Sequence, residues 1–240
     1  MFYALDDNNV RICIDNADKQ HKYHCPCCDY SVIVKQGKVN AWHFAHRPGS
    51  QCDAAYSEKT EWHRNWQEQF PEECREVVVE DITGYKRIAD VKINGSTFEF
   101  QTGSIPKEIF DARNKHHYRA SGRVCWIFNC IKKEISATTH AIGLDGEPNG
   151  NFWYSWSHPN RLLAKYKYHS WGMVDKDDGY VFRGVEIYLQ VKNNLLIKVI
   201  NIPDKRENAG WFLGTPIKTE VFIDDFVKAY RQPLQMAMEL

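Results

Sequence analysis

Two carboxylates beside a predicted tight turn are the side chains of this chain best placed to do chemistry. Asn94-Gly95 is the strongest short-range signal for a two-residue hairpin turn. Such a turn sets Asp90 directly opposite Glu99 and puts Gln101 on the same face. Because two facing carboxylates repel each other, the pattern predicts a cation between them. The alternative is an exposed polar face on which both acids are simply solvated.

Carboxylate oxygens at this spacing suit Mg²⁺ or Mn²⁺, which bind through a few carboxylates, water and substrate phosphate. Such an ion polarises a phosphodiester and lowers the pKa of the bound water that attacks it. Histidine titrates near neutral pH, so His63, on a predicted helix, is a candidate to shuttle a proton or hold a phosphate. The alternative for His63 is a packing or surface histidine.

A second group of side chains with metal-binding chemistry lies near the N-terminus. Cys25 and Cys28 have the two-residue gap that lets one loop offer two thiolates to a tetrahedral ion. His43 and His46 alternate between the faces of a strand, so they do not easily bind one ion. We favour Cys25, Cys28, His46 and Cys52, with His43 as the alternative. This closed set predicts structural Zn²⁺ rather than a zinc hydrolase; the competing interpretation is reduced cysteines in a small core.

Composition limits the class of protein. The chain has 240 residues, 43% of them hydrophobic and 13% aromatic, which predicts a folded protein with a sizeable core. Lys+Arg and Asp+Glu both number 31, so any nucleic-acid site must be a local basic patch. No apolar run is long enough for a membrane span, and the N-terminus lacks the basic-then-apolar pattern of a signal peptide. We therefore expect a cytoplasmic protein without a membrane partner.

Periodicity predicts the elements that must position these side chains. Trp62, Trp66 and Phe70 recur at helical spacing before Pro71, and Gly122 ends a second helical segment. In chain order the sequence predicts a helix over 57–70, strands over 76–80, 86–93 and 96–102, a helix to about 120, and a buried strand over 124–128. Outside this region we predict strands over 2–5, 10–14, 31–35, 41–46, 185–191 and 195–201, and a helix from about 220.

These segments resemble a known family. The residues that carry the resemblance are Arg87-Ile-Ala-Asp90-Val, Phe98-Glu99-Phe100-Gln101, Thr60-Glu61-Trp62-His63 with Trp66 and Phe70-Pro71, Arg113, Tyr118, Trp126-Ile127, Cys25-Pro-Cys-Cys28 and His43-Phe-Ala-His46. Together they look like the CoiA-like competence protein family, of the restriction-endonuclease-like PD-(D/E)xK nuclease superfamily. The resemblance covers about residues 20–130.

The resemblance implies an α/β (α+β) fold. A zinc-binding β module over 1–56 would precede a restriction-endonuclease-like core (α-β-β-β-α-β) over 57–135 and a C-terminal α+β extension over 136–240. It also implies a metal-dependent nuclease that hydrolyses DNA, with Asp90 and Glu99 as Mg²⁺ ligands and Glu61 as an additional helical acid. Gln101 takes the place of the usual lysine. A glutamine only positions water or a phosphate oxygen by hydrogen bonds, so a non-catalytic DNA-binding or processing factor is the alternative.

DNA is the expected partner, and a homodimer or other DNA-processing proteins are further candidates. Arg113 is a candidate phosphate clamp, and Lys115 and Arg119 extend the best local basic patch. The alternative for all three is a solvated helix surface.

Overall fold

The chain forms two compact units, residues 1–92 and 93–240, in this computed structural model. The structure describes residues 1–38, 40–50, 52, 60–103, 105–142, 148–156, 168–169, 172–174, 181–182, 184–201 and 211–238. Three α-helices and seventeen strands in this part of the chain make a mixed α+β fold. The predicted boundary between 56 and 57 lies outside the described residues, so the division into three domains stays a prediction. None of the described helices combines the length and apolarity that crossing a bilayer requires.

The N-terminal unit is built on short antiparallel strands. They are β1 (Tyr3–Asp6), β2 (Arg11–Cys13), β3 (Tyr23–His24), β4 (Ser31–Lys35), β5 (His43–His46), β6 (Arg75–Glu80) and β7 (Lys86–Ile93). The first five form one sheet in the order β2-β1-β3-β4-β5, and β6 pairs with β7. Short 3₁₀ helices span Ile14–Asn16 and Glu72–Cys74. The strands predicted from periodicity in this unit are confirmed, with bounds shifted by one or two residues.

Helix α1 (Glu61–Gln67) is the only α-helix described in the N-terminal unit. It begins where the Thr60 hydroxyl accepts a hydrogen bond from the His63 backbone N–H (3.3 Å). Trp66 and Phe70 are buried, as their spacing predicts. The helix ends three residues earlier than predicted because the Phe70 N–H turns back to the Gln67 carbonyl (3.0 Å).

The C-terminal unit contains the longer strands and two helices. Its strands are β8 (Ser96–Gln101), β9 (Arg123–Asn129), β10 (Ile135–Ile142), β11 (Pro148–Trp156), β12 (Tyr168–His169), β13 (Gly172–Val174), β14 (Val181–Phe182), β15 (Val185–Lys192), β16 (Leu195–Asn201) and β17 (Trp211–Lys218). Its helices are α2 (Lys107–Ser121) and α3 (Thr219–Met238). Within this unit the sheet order is β10-β11-β17-β16-β15-β9-β8, and β12, β13 and β14 form a small separate sheet.

The connection β8–α2–β9 positions the C-terminal part of the candidate site. Helix α2 ends at Gly122, whose φ of 75° and N–H bond to the Tyr118 carbonyl (2.7 Å) form a left-handed cap. Strand β9 then returns parallel to β8 and continues parallel to β15. This confirms the predicted crossover helix followed by a buried strand, because Val124 to Phe128 are all buried.

The predicted two-residue turn is also confirmed. Asn94 and Gly95 have φ values of 48° and 70°, the left-handed pair that a type I′ turn needs. The Asn94 side chain is further fixed by donating to the Phe226 carbonyl (2.7 Å). The facing of Asp90 and Glu99 across this turn stays a prediction.

Helices α2 and α3 cover opposite faces of the C-terminal sheet. Phe110 of α2 packs on Trp126 at 4.7 Å between ring centroids, and Phe226 of α3 packs on Phe98 at 4.8 Å. Trp126 pairs with Glu99 in the β8–β9 register, and neighbouring strand residues point to opposite faces. Glu99 therefore lies on the α2 side of the sheet and Phe98 on the α3 side.

Strands β10, β11 and β17 were not predicted from the sequence. Gly214 and Pro216 interrupt the apolar pattern of β17, and both residues argue against a strand interior. The structure explains the glycine: a Cβ atom at Gly214 would lie 2.5 Å from Cγ2 of Ile197 on β16. The glycine is needed because the backbone of β17 closely approaches β16, and this contact between strands cannot be predicted from the sequence.

Glu186 ties together three strands of the C-terminal unit. Its carboxylate accepts hydrogen bonds from Lys198 Nζ (2.8 Å) on β16, Arg123 Nη2 (2.8 Å) on β9 and the Tyr188 hydroxyl (2.7 Å) on β15. Burial raises the pKa of Glu186, but hydrogen bonds from Lys198, Arg123 and Tyr188 outweigh it and lower the pKa to about 2. The ionised form is therefore strongly favoured in the folded protein.

We expect Glu186→Gln to lower the free energy of unfolding at pH 7 by about 2–3 kcal/mol, because each pKa unit corresponds to about 1.4 kcal/mol. Because the pKa of Glu186 is lower in the folded state, its carboxylate stabilises the folded protein at pH values above the ordinary pKa of 4.5. This stabilisation is lost as the pH falls toward the folded-state pKa of about 2. The difference between wild type and variant should therefore fall by about half at pH 3. Urea unfolding measures both values. Glu220→Gln, at an exposed pair with Lys218, is the control; an unchanged difference at pH 3 would contradict the prediction.

Candidate functional site

The four predicted zinc ligands come together in the N-terminal unit. One ligand atom from each of Cys25, Cys28, His46 and Cys52 lies within 4.8 Å of all the others. Cys25 Sγ and Cys52 Sγ are 4.0 Å apart, and Cys28 Sγ is 3.4 Å from His46 Nε2. Around a tetrahedral ion with Zn–S bonds of about 2.3 Å, ligand sulfurs lie about 3.8 Å apart. The Cys₃His cluster can therefore hold a structural metal such as Zn²⁺.

The alternative ligand His43 lies outside this cluster. Its Nδ1 is 2.8 Å from the Ala41 carbonyl, and its strand position differs from that of His46 by an odd number of residues. Strand alternation predicts that only one of the two histidines can join the cysteines, and the structure places His46 there.

The thiols of the cluster need a cation to ionise. Hydrogen bonding to the Cys52 thiol, together with burial, raises the pKa of Cys25 and of Cys27. The Cys27 backbone N–H also points at Cys25 Sγ (3.4 Å), the kind of contact that orients a ligand sulfur. Both thiols therefore favour the protonated form without a metal, and a divalent ion bound by Cys25 would release the proton of that thiol.

Asp90 is buried in β7 and paired with a histidine from α1. Its Oδ1 lies 2.9 Å from His63 Nε2, and the two side chains are 5% and 1% exposed. The capped start of α1 fixes the His63 backbone, so the helix aims this imidazole at the strand. The reading of Asp90 as a solvated surface acid is therefore wrong, and so is that of His63 as a surface histidine.

Glu99 is buried in β8 between two side chains of α2. Its Oε2 is ion-paired with Arg113 Nη1, and its Oε1 lies 2.8 Å from His117 Nε2. Arg113 and His117 are four residues apart and so share one face of the helix. The Arg113 guanidinium, 7% exposed, is thus bound to an acid of the protein itself.

The other predicted site residues are less buried. Gln101 is half-buried at the end of β8, and Glu61 is exposed in the first turn of α1. Lys115 is half-buried and Arg119 exposed, while the neighbouring histidines of α2 point inward. The predicted basic patch on α2 is therefore not one continuous exposed surface.

Two buried groups near the acids were missed by sequence reasoning. His117 lies four residues after Arg113, and only the 3.6-residue period of α2 could have placed it on Glu99. Glu76 begins the predicted strand over 76–80, where the sequence gives no sign of a buried acid. The pairs Arg75–Val91 and Val77–Ala89 put it opposite Asp90, and its carboxylate accepts the Phe2 and Tyr3 backbone N–H groups (2.7 and 3.1 Å).

Glu76 has a φ of 42°, the left-handed region that non-glycine residues rarely adopt. The same residue is 4% exposed, so the N-terminal unit carries two buried carboxylates on facing strands, Glu76 and Asp90. Backbone outliers of this kind concentrate at functional sites. No pattern in the sequence signals this residue, because the three valines that follow it predict only an ordinary strand.

Comparison with known proteins supports one part of the sequence interpretation. Residues 6–55 match the model of the N-terminal domain of competence protein CoiA. This segment contains all four ligands of the Cys₃His cluster. The match ends before α1, so it does not extend to Asp90 or Glu99. Searches of curated proteins and of solved structures give no match.

We expect the purified protein to carry about one equivalent of zinc, because four matched ligands of a closed tetrahedral site are already assembled. Cys28→Ser and Cys52→Ser should each reduce bound zinc below about one fifth of an equivalent and lower the melting temperature. Elemental analysis after dialysis and thermal unfolding measure the two effects.

Cys13→Ser is the matched control, since this thiol is half-buried in the same unit but lies outside the cluster. A wild-type protein with little zinc, or equal zinc in all variants, would show that the cysteines are a small reduced core instead.

Proposed function

We propose that this chain is a metal-dependent nuclease whose active site contains Asp90, Glu99 and the side chains that fix them. The observation that carries the proposal is the burial of two carboxylates on consecutive strands, at 4% and 2% exposure. Burying a charged carboxylate costs several kcal/mol unless a cation or hydrogen-bond donor compensates the charge. Even a compensated buried pair rarely makes the folded protein more stable than apolar residues of similar volume would. Apolar residues at these positions would therefore give about the same stability. Retention of two such acids therefore favours a chemical role.

The element order supports the same proposal. Along the chain, α1, β6, β7, β8, α2 and β9 follow the α-β-β-β-α-β order of a restriction-endonuclease-like core. The proposal further assumes the register predicted for the Asn94-Gly95 turn, in which Asp90 faces Glu99. Both turn residues have the conformation that this register requires.

The donor chemistry of these residues fits a hard divalent cation. Carboxylate oxygens are the ligands that Mg²⁺ and Mn²⁺ prefer, and each oxygen has two lone pairs, so one contact leaves room for another. When bound, such an ion would polarise the phosphodiester and lower the pKa of a coordinated water.

The chain's own residues then orient the acids. His63 Nε2 fixes Asp90 Oδ1, and His117 Nε2 and Arg113 Nη1 fix the two oxygens of Glu99. A carboxylate with a contact at each oxygen, as in Glu99, keeps its orientation when substrate binds. Gln101 contributes only hydrogen bonds, to water or to a phosphate oxygen.

A second candidate function, a nucleic-acid-binding factor without turnover, is favoured by one specific contact. Arg113 already neutralises Glu99, and a cation in this place competes with a divalent ion for the same carboxylate. With Gln101 replacing lysine, the site also lacks a free cationic group at that position. In this alternative, Glu99, Arg113 and His117 form a structural ion-pair network.

Cleavage assays separate the two functions. We expect nicking or degradation of plasmid and single-stranded DNA with Mn²⁺ or Mg²⁺ and none without added divalent ion. Metal omission is preferable to EDTA, which also strips zinc. Asp90→Asn and Glu99→Gln, which keep the side-chain shape, should each lower the rate by at least about 100-fold, the upper range for groups that only support a metal ligand.

Glu80→Gln is the matched control, because Glu80 is an exposed strand carboxylate paired with Lys86 (3.6 Å). Circular dichroism confirms that each variant is folded. Metal-supported cleavage that survives both substitutions contradicts the proposed site, and a folded wild type without cleavage supports the binding factor.

A further inference from the structure

A small cleft lies beside helix α1 in the N-terminal unit. Its volume is about 280 Å³, near the lower end of the range for ligand pockets. The start of β1, the end of β2 with the turn after it, helix α1 and the start of β6 all contribute to its walls, so the whole cleft belongs to residues 1–92. The described lining includes neither Asp90 nor a ligand of the Cys₃His cluster. The cleft is therefore a third candidate site.

A buried glutamine of α1 lines the cleft without a hydrogen-bond partner. Gln67 is 1% exposed, and its Nε2 has no acceptor among the described residues. Buried side-chain amides are normally hydrogen-bonded, because an unpaired donor destabilises the fold. A carbonyl oxygen of a ligand would supply the missing acceptor at Gln67.

The two guanidinium groups that line the cleft are already bound to the protein itself. Arg64 is ion-paired with Asp15, and its Nε donates to Glu68 Oε1 (2.8 Å). Arg75 donates from Nε to the Phe70 carbonyl (2.8 Å) and from Nη2 to the Glu68 carbonyl (3.2 Å). Because these donors are used within the protein, the cleft does not favour an anionic ligand such as a phosphate.

Acceptors outnumber the cations in the cleft. Three carboxylates line it, those of Asp15, Glu68 and Glu72, against the two guanidinium groups. Glu72 is exposed and forms no ion pair within the part of the chain that the structure describes. A carboxylate in this state can accept two parallel N–H bonds. The ligand should therefore carry adjacent N–H donors and no negative charge at the group that is bound.

Two aromatic side chains form part of the walls and are held by arginines. Cζ of Arg64 lies 5.8 Å from the ring centroid of Phe2, and Cζ of Arg11 lies 3.6 Å from that of Tyr3. These cation–π contacts fix the orientation of both rings. Rigid aromatic walls suit a flat ligand better than a flexible amine.

We propose that this cleft binds the amino-carbonyl edge of a guanine base. The guanine N1–H and N2–H₂ groups are adjacent donors for Glu72, and O6 is an acceptor for Gln67 Nε2. Adenine has no carbonyl oxygen, cytosine has no ring N–H beside its amino group, and thymine and uracil have no amino group. Guanine is therefore the base that matches the unpaired acceptor and the unpaired donor together.

The position of the cleft also suits the proposed nuclease. Gln67 follows His63 by four residues, which is about 6 Å along the helix axis, and His63 contacts Asp90. A guanine of a bound nucleic acid would then lie one helical turn from the residues that orient Asp90. This assignment to the substrate rests on the proposed function, but binding of the base does not require Asp90 or Glu99.

Ligand-observed NMR titrations with guanosine, inosine and adenosine test the proposal, in zinc-containing buffer without magnesium or manganese. Guanosine should bind, and inosine, which lacks the N2 amino group, and adenosine, which lacks the carbonyl, should each bind at least about fivefold more weakly. Gln67→Leu, which keeps the side-chain volume, should weaken guanosine binding about tenfold. Glu72→Gln should remove most of the preference for guanosine over inosine.

Gln69→Leu is the matched control, because Gln69 is an exposed glutamine that donates to the Asn65 carbonyl (3.3 Å) outside the cleft. It should bind guanosine like wild type, and circular dichroism confirms that every variant is folded. Absence of guanosine binding, equal affinity for the three nucleosides, or unchanged affinity of Gln67→Leu would each overturn the proposal. The last result would show that water satisfies the Gln67 amide.

Two pentanucleotides distinguish the possible sources of the base. One is pentathymidylate with a central guanine, and the other has adenine at the same position. Tighter binding of the guanine strand identifies a base within nucleic acid, whereas guanosine binding without this preference identifies a free nucleoside; both agree with the proposal. Because the titrations contain no catalytic ion, a failure of base binding is distinguishable from a failure of cleavage.

Discussion

The compensation of buried carboxylates by side chains of neighbouring helices is the interaction on which the candidate site depends. Helix α1 supplies His63 to Asp90, and α2 supplies Arg113 and His117 to Glu99. Removing one partner of a buried pair costs about 3–5 kcal/mol, because it leaves an uncompensated charge. Each helix is therefore held on its strand by an interaction with a buried carboxylate, in addition to apolar packing. Within each of the two units, the acid and the helix that contacts it therefore stabilise each other.

The N-terminal unit contains very short strands, which need stabilisation beyond their own hydrogen bonds. Its first five strands have two to five residues each, and strands of this length bury little apolar surface. The Cys₃His cluster joins the loop at Cys25 to the end of β5, which supplements the small core around Phe44.

Local sequence signals predicted the elements, and contacts between elements were predicted less well. Asn94-Gly95, Gly122 and the spacing of Trp66 and Phe70 act within a few residues, and each gave the correct turn, cap or face. Cys25, Cys28, His46 and Cys52 also followed from spacing and strand alternation. Glu76 could not be found, since a five-residue connection between β6 and β7 does not fix their register. Strand β17 was hidden by Gly214, whose role depends on Ile197 of another strand.

The buried ion pair of Arg113 with Glu99 determines whether this arginine can replace the lysine for which Gln101 stands in the proposed site. A nuclease site of this kind needs positive charge near the scissile phosphate, and Gln101 supplies none. Arg113 is the nearest cation along α2 to Glu99, but its guanidinium is buried against that carboxylate and cannot reach a substrate without breaking the pair. In the proposed nuclease, positive charge for substrate binding must therefore come from elsewhere on the chain. Attraction of nucleic acid and orientation of the acids are then assigned to different residues, which is how a chain with no net charge can carry a nucleic-acid site.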